Sequence, residues 1–435
     1  MVIFKQYIVE KRKLDGTITI PPSKSHTLRA VLFASLADGV SIIKNYLLSK
    51  DAEAMINACR LFGAKINISN NQISVTGLKG KITYTEDVIN AGNSGIVLRF
   101  CSAIGALGKH PIVITGDESI RHQRPMKPLL QGLSELGVSA VSMRGDSYAP
   151  VIIQGPIKNN KAIIFGEDSQ PVSALLIAAA FAYHPIEICV ENPGEKPWID
   201  LTLHWLKRLG IHYEQFGYKK YQLFGNTIYS GFEYAVPGDL SSAAFPIAAA
   251  IVTGSELTIT NIDMSDPQGD KELILIFQKM GANIEINEEH RSLRIKKGST
   301  LSGIIVDINN FIDAITILAV VACFANGETL IENAAIAKQK ECNRIACIVT
   351  ELRKMGADIL ETEDGLLIKK SKLYGAKVYS HRDHRMAMSL TVAALGAEGK
   401  TTISDIECIA KTYPSFLEDF NKIGAGILEM TNYKV

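Results

Sequence analysis

DKELILIFQKMGANIEI, residues 270–286, reads as a helix brought to a stop. Apolar residues recur at helical spacing up to Met280, Gly281 follows, and beyond Ala282 the sequence turns strand-like. A glycine there ends a helix in the left-handed conformation without steric penalty. The same punctuation occurs six times, about 70 residues apart: Phe62-Gly63-Ala64, Leu136-Gly137-Val138, Leu209-Gly210-Ile211, Met280-Gly281-Ala282, Met355-Gly356-Ala357 and Ile423-Gly424-Ala425. The chain therefore reads as six similar repeats.

Working outward from each glycine gives one order of elements. In the first repeat a strand is expected over 17–20, a helix over 25–36, a short strand over 41–43, a second helix over 51–62 and a hairpin over 65–75. The first helix of a repeat is apolar on all sides, as in 174–182, 243–251 and 314–325, and so must be buried on all sides. The second is amphipathic, as in LTLHWLKR at 201–208. The expected fold class is α/β, with three buried helices inside three-fold related sheets and three repeats per domain.

The 435 residues, 47% of them apolar, suffice for two cores and exceed one. Three repeats end near 221–232, and Val236-Pro237-Gly238 is the most turn-like segment before the fourth. A hinge there would open a cleft suited to a substrate. Lysine plus arginine (46) nearly balance aspartate plus glutamate (45), so no global field holds a nucleic acid, and any anion must be met by local clusters. Seven scattered cysteines show no metal-ligand spacing and read as buried or free thiols in a reducing compartment. The charged amino terminus lacks a signal-peptide core and no apolar run reaches membrane-span length, which favours a cytoplasmic, soluble protein without membrane attachment.

Polar residues gather just before the buried helices. PPSKSHTLRA at 21–30 puts Lys24, Ser25 and Arg29 at a helix start, where unpaired N–H groups and the dipole favour an anion; a serine cap with solvated basic neighbours fits equally. Asn93-Ser94-Gly95 leads to Arg99, with Ser94 as cap and Gly95 allowing close backbone approach to a ligand. The loop 116–125 carries Arg121 and Arg124, and Asp168-Ser169-Gln170 precedes the third apolar helix. GDLSSA at 238–243 reads as a cap in which Asp239 and Ser241 satisfy helix N–H groups. Asp313 opens a very apolar run, where desolvation would raise its proton affinity for acid–base work; a capping aspartate is the alternative. Lys340, Glu341 and Arg344, then Asp383, His384 and Arg385, then Lys411 form the densest cluster, and Lys24, Arg29, Arg99, Arg124, Lys340, Arg344, Arg385 and Lys411 make up a cationic set suited to small, highly charged anions.

At these residues the chain resembles the EPSP synthase family, the 3-phosphoshikimate 1-carboxyvinyltransferases. The resemblance runs through PPSKSHTLRA, GNSG at 92–95, GDESIRHQRPM, DSQPVSALL, KPWIDLTL, GDLSSA, QGD at 268–270, KQKECNRI, DHRMAM and KTYP in the family's order. It implies a two-lobed inside-out α/β barrel of six β-α-β-α-β-β units: domain I of 1–21 plus 237–435, domain II of 22–236, and hinges near 18–22 and 235–238. The implied reaction is transfer of the enolpyruvyl group of phosphoenolpyruvate to the 5-hydroxyl of shikimate 3-phosphate, by addition and then loss of phosphate. By motif, Lys24, Gly95, Arg124, Gln170, Arg344, Arg385 and Lys411 would surround phosphoenolpyruvate. Lys24, Ser25, Arg29, Asp168, Ser169, Gln170, Asp313 and Lys340 would hold shikimate 3-phosphate. Asp313, Glu341 and Lys24 would move protons. No metal or organic cofactor is implied, and a monomer sensitive to glyphosate is.

This chain departs from the pattern at Glu195, where serine is common before Lys-Pro, and at Ile96, Trp198, Ile336 and Asn343. An acidic group beside a phosphate repels it unless turned away or protonated. The related UDP-N-acetylglucosamine enolpyruvyl transferases carry a cysteine in the second repeat's loop, and 116–124 has none. A catalytically silent anion-binding relative is the remaining alternative.

Overall fold

The computed structural model describes residues 2–69, 71–83 and 85–434. The six repeat glycines all have positive φ, from 69° at Gly210 to 108° at Gly63. In all six copies the amide one residue past the glycine donates to the carbonyl five residues back, at 2.9–3.0 Å, as from Ala282 to Phe277. That bond satisfies a carbonyl the helix end would otherwise orphan, and it aims the chain into the next strand.

The described residues form six four-stranded sheets, each with one parallel pair followed by two antiparallel ones. The chain divides into two compact units: unit I takes residues up to Pro21 and from Pro237 onward, unit II takes Pro22–Val236. Strand exchange explains the discontinuity of unit I. The strand read at the start of the first repeat is Asp15–Thr19, and it pairs in parallel with Glu256–Thr260 of the fourth repeat. The corresponding place in the first repeat is filled from the far end of unit II, where Glu233–Ala235 pairs in parallel with Val40–Lys44. Val2–Glu10 lies antiparallel between Lys400–Ser404 and Leu428–Lys434 in the sixth sheet.

Each unit is cored by its apolar helices: Lys24–Leu36, Gly95–Gly105 and Ser169–Phe181 in unit II, and Leu240–Thr253, Ile315–Ala322 and His384–Gly396 in unit I. Every residue of Gly95–Gly105 and of Ile315–Ala322 is buried. A helix without a polar face has nowhere else to go. The amphipathic helices, among them Lys196–Arg208 and Arg344–Lys354, bury one face only. Polar function is thereby pushed to the starts of the buried helices, where N–H groups need partners.

Side chains supply those partners. Ser23 accepts from His26 N, Ser94 from Val97 N, Asp168 from Gln170 N, Asp239 from Ser242 N and Asp383 from Arg385 N. Ser241 does not share the capping with Asp239, since its hydroxyl donates to the Asp270 carboxylate instead.

The repeat glycines make a graded stability test. A Cβ on Gly210 meets nothing within 4 Å, whereas on Gly281 it would sit 2.4 Å from the Thr300 carbonyl oxygen. Gly210→Ala should cost about 1–2 kcal/mol, the left-handed penalty alone. Gly281→Ala should cost distinctly more, as read by urea denaturation.

Candidate functional site

In unit II the site grows from three helix starts. Arg99, in the second turn of Gly95–Gly105 and 1% exposed, sends Nη1 to Gln170 Oε1 (2.8 Å) and Nη2 to Asp168 Oδ2 (3.0 Å) and the Pro125 carbonyl (3.1 Å). One guanidinium thus ties the Asp168-Ser169-Gln170 triplet to the loop that carries buried Arg124. Gly95 lies against this group: a Cβ there would be 2.9 Å from Arg99 Nη1, 3.1 Å from Gln170 Oε1 and 3.9 Å from Arg124 Nη1. The missing side chain is what lets the three polar groups converge on the helix start.

Arg29 is held differently. Its Nε and Nη2 donate to Thr202 Oγ1 (3.1 and 2.9 Å), Nη1 to the Ser25 carbonyl and Nη2 to the Trp198 carbonyl, while the guanidinium stacks 5.1 Å from the Phe100 ring. Thr202 in turn donates to Ser173 Oγ at 3.0 Å. All these partners are neutral, and among the described residues no carboxylate pairs with Arg29. It is 2% exposed, and burial pulls its pKa down to about 9. A buried cation without an anion is costly, so this guanidinium is poised for one. Lys24 and Ser25 sit on the same first turn, Lys24 half-buried.

Glu195 does not face the cluster as an open charge. It enters the Lys196–Arg208 helix in the left-handed region (φ 43°, ψ 41°), and its Oε2 accepts from both Ser169 N and Ser169 Oγ at 3.0 Å. One oxygen of the acidic residue thus serves the start of the Ser169–Phe181 helix.

In unit I, Arg344 is the hub. At 1% exposure it donates Nη1 to Asp313 Oδ1 (2.6 Å), Nη2 to Glu341 Oε2 (2.7 Å) and Nε to Asp383 Oδ2 (2.7 Å). Arg385 Nη2 reaches Asp313 Oδ2 at 2.9 Å, and Lys411 Nζ reaches Glu341 Oε1 at 2.6 Å. Lys340 acts on Asp313 through its charge. Asn343 caps the Arg344–Lys354 helix by accepting from Ala346 N (3.2 Å), a cap that an aspartate there would equally supply.

Asp313 corrects the sequence expectation twice. It lies in the 3-10 turn Asn309–Ala314, and the helix beyond it is entered at Ala314 with no side-chain cap. Burial does push its carboxyl up, but Arg385, Arg344 and Lys340 together outweigh that push and hold it well below the usual carboxylate range. It is an ionised group, not one of raised proton affinity.

Glu341, Asp383 and His384 place ligand atoms within 4.8 Å of one another, the spacing a metal would need. Both carboxylates are already bound to Arg344, and Glu341 also to Lys411, so cations occupy the directions a metal would take.

Each unit therefore gathers its own share of the sequence-marked residues: Lys24, Ser25, Arg29, Gly95, Arg124, Asp168, Ser169 and Gln170 in one, and Asp313, Lys340, Glu341, Arg344, Arg385 and Lys411 in the other. Sequence reasoning counted Arg99 among the clustered cations and Asp383 in the densest polar cluster but assigned neither to a substrate, and it did not single out Thr202. Arg99 and Asp383 carried a signal, standing one turn into and just ahead of buried helices. Thr202, 173 residues from Arg29, carried none beyond its motif.

The sequence profile described as EPSP synthase (3-phosphoshikimate 1-carboxyvinyltransferase) matches residues 8–420. The 3-phosphoshikimate 1-carboxyvinyltransferase of Chlamydia caviae is 43% identical over 425 residues, covering 97% of this chain and 94% of that protein. That of Acetivibrio thermocellus is 43% identical over 419 residues, with 96% and 98% covered. The EPSP synthase structure from Acinetobacter baumannii aligns with a TM-score of 0.81 at 28% identity, covering 98% of this chain and 100% of that one.

The low Asp313 pKa has a stability consequence of definite sign. A depressed folded-state value means that its contribution is complete above the unfolded value of about 3.9 and is lost as pH falls through the still lower folded value. Asp313→Asn should therefore flatten the fall in unfolding free energy below about pH 4, measured by urea titration across that range.

Proposed function

The chain belongs to the EPSP synthase family, and from that premise we propose how its two cation clusters carry the reaction. The protein is a 3-phosphoshikimate 1-carboxyvinyltransferase: it transfers the enolpyruvyl group of phosphoenolpyruvate to the 5-hydroxyl of shikimate 3-phosphate, releasing phosphate. The silent-relative and sugar-nucleotide readings are not favoured.

In our assignment Arg29, with Lys24, Ser25 and Lys340, takes the anionic end of shikimate 3-phosphate, and Asp168, Ser169, Gln170 and Asp313 take its hydroxyl-bearing ring. The observation behind this is Arg29 itself, buried among neutral partners. Ser169 already donates its proton to Glu195, so toward a ligand it offers lone pairs, which suits a ring hydroxyl better than a phosphate. Phosphoenolpyruvate goes to Arg124, Arg344, Arg385, Lys411 and Lys24, with Gly95 and Gln170 alongside. Arg99, Thr202 and Asp383 are positioning residues that act through Gln170, Arg29 and Arg344.

The charge balance at Asp313 suggests how a weakly basic carboxylate becomes a base. Two of the cations that lower its proton affinity are Arg385 and Arg344. When the substrate's own anionic groups engage those guanidinium groups, their pull on Asp313 weakens and the opposing effect of burial gains weight. Its proton affinity then rises beside the 5-hydroxyl, whose proton it takes as oxygen attacks C2 of phosphoenolpyruvate. Glu341, which bridges Arg344 and Lys411, and Lys24 are our candidates for moving protons at the methylene carbon and the departing phosphate. The surrounding cations neutralise charge developing on that phosphate.

Glyphosate belongs at the phosphoenolpyruvate site, where the bare Gly95 leaves it room. The test is phosphate release from phosphoenolpyruvate, with and without shikimate 3-phosphate, on wild type, Asp313→Ala and Gly95→Ala. Release should need both substrates and fall by at least about a hundredfold in Asp313→Ala. Glyphosate should compete with phosphoenolpyruvate, and Gly95→Ala should weaken it while raising the KM for phosphoenolpyruvate. Release that survives Asp313→Ala would remove the base from this account, and inhibition that does not compete with phosphoenolpyruvate would remove the glyphosate placement.

A further inference from the structure

Two polar contacts, two turns apart, join the Arg344–Lys354 helix to the entry of the His384–Gly396 helix. At the start of the first helix, Arg344 Nε donates to Asp383 Oδ2 at 2.7 Å. Glu351 lies seven residues further on and therefore on the same face. Its Oε2 accepts from Tyr379 N at 3.1 Å and its Oε1 from His381 Nε2 at 2.8 Å, while Lys354 Nζ lies 2.8 Å from Oε2. Glu351 is 1% exposed. Burial pushes its carboxyl up, but the bonds from His381, Lys354 and Tyr379 outweigh that push and hold it below the ordinary glutamate value. A carboxylate buried this deeply needs every one of its donors, so the chain that supplies them is held to it.

That chain is a strained turn. His381 and Arg382 both take left-handed φ, 53° and 57°. Such backbone persists in non-glycine residues only where surrounding contacts over-determine it. Ser380 N donates to the Ser404 carbonyl (3.2 Å) and Ser380 Oγ to the Asp405 carbonyl (2.7 Å), which fasten the turn to the neighbouring strand. Arg382 N donates to Ser380 Oγ (3.1 Å) and Asp383 N to the Ser380 carbonyl (3.0 Å), which close it. Glu351 fastens it to the helix that Arg344 begins. The turn then delivers Asp383, whose Oδ1 accepts from Arg385 N at 2.8 Å and whose Oδ2 holds Arg344. Both guanidinium groups converge on Asp313, Arg344 through Nη1 (2.6 Å) and Arg385 through Nη2 (2.9 Å). One hydrogen bond between Arg344 and Asp383 would leave a pivot, and a second attachment two turns away removes it.

We propose that Glu351 is a positioning residue for the two arginines assigned to phosphoenolpyruvate: through the 379–383 turn it fixes Asp383, and through Asp383 it fixes the directions of Arg344 and Arg385. Glu351 stands outside the residues assigned to either substrate. The kinetic consequence rests on the functional reading above, whereas the clamp on the turn does not.

The test combines hydrogen–deuterium exchange, read by mass spectrometry on peptides covering 379–383, with steady-state phosphate release. The proteins are wild type, Glu351→Gln, His381→Gln, the double variant and Gly210→Ala, which strains the other unit. Glutamine keeps the length of Glu351 and an acceptor oxygen but not the charge. Exchange over 379–383 should quicken at least about tenfold in Glu351→Gln, with a rise of about tenfold in the KM for phosphoenolpyruvate and less than about twofold in that for shikimate 3-phosphate. His381→Gln should act in the same direction, and the double variant should lose less than the two single losses combined, because both remove one bond. Gly210→Ala should leave the turn and both KM values as they are. If Glu351→Gln does not fold, His381→Gln, whose side chain is 34% exposed, carries the same expectations. Unchanged exchange over 379–383 would overturn the clamp. Faster exchange with an unchanged KM for phosphoenolpyruvate, or an equal rise in both KM values, would overturn the positioning role. A wild-type protein that released no phosphate would count against the functional reading, and the exchange pattern would still decide the clamp.

Discussion

A guanidinium taken out of water needs a negative partner, and among the described residues Arg29 is buried with neutral partners alone. In unit II, Arg99 pairs with Asp168, and Glu195 accepts from Ser169. In unit I, Arg344 donates a bond to each of Asp313, Glu341 and Asp383, while Arg385 also reaches Asp313 and Lys411 also reaches Glu341.

The repeat makes such a concentration geometrically possible. The buried helices offer no polar face, so their starts are the places where polar side chains reach the core without being sealed in it. A capping residue at each start fixes the backbone, and the residue one turn later projects beside it. Arg29 and Arg99 occupy that later position in two repeats, and Asp383 is both the cap of its helix and the anchor of Arg344. One side chain there closes a helix and orients the Arg344 guanidinium.

Much of this was legible in the sequence because it is local. The six glycine stops, the apolar helices and most of the caps depend on residues within a few positions of one another, and so does the clustering of cations ahead of helices. What depends on distant neighbours was not legible. The proton affinity of Asp313 was read with the wrong sign, because Arg344 and Arg385, which set it, lie 31 and 72 residues away. Desolvation visible in the local pattern was real but smaller than their combined attraction. The direction of Glu195 was equally hidden, since it follows from a left-handed entry to its helix and from Ser169, 26 residues earlier. The strand at Asp15–Thr19 announced itself as a strand, but its partner, Glu256–Thr260, could not be read from spacing.

The central claim is that Arg29 is an uncompensated buried cation awaiting the anionic end of the substrate. Calorimetric titration of shikimate 3-phosphate into wild type and into Arg29→Met tests it most directly, since methionine fills the space without a charge. The account predicts a folded variant whose affinity falls by at least about thirtyfold, roughly 2 kcal/mol for losing one partner of a buried charged pair. Equal affinity for the two proteins would contradict it.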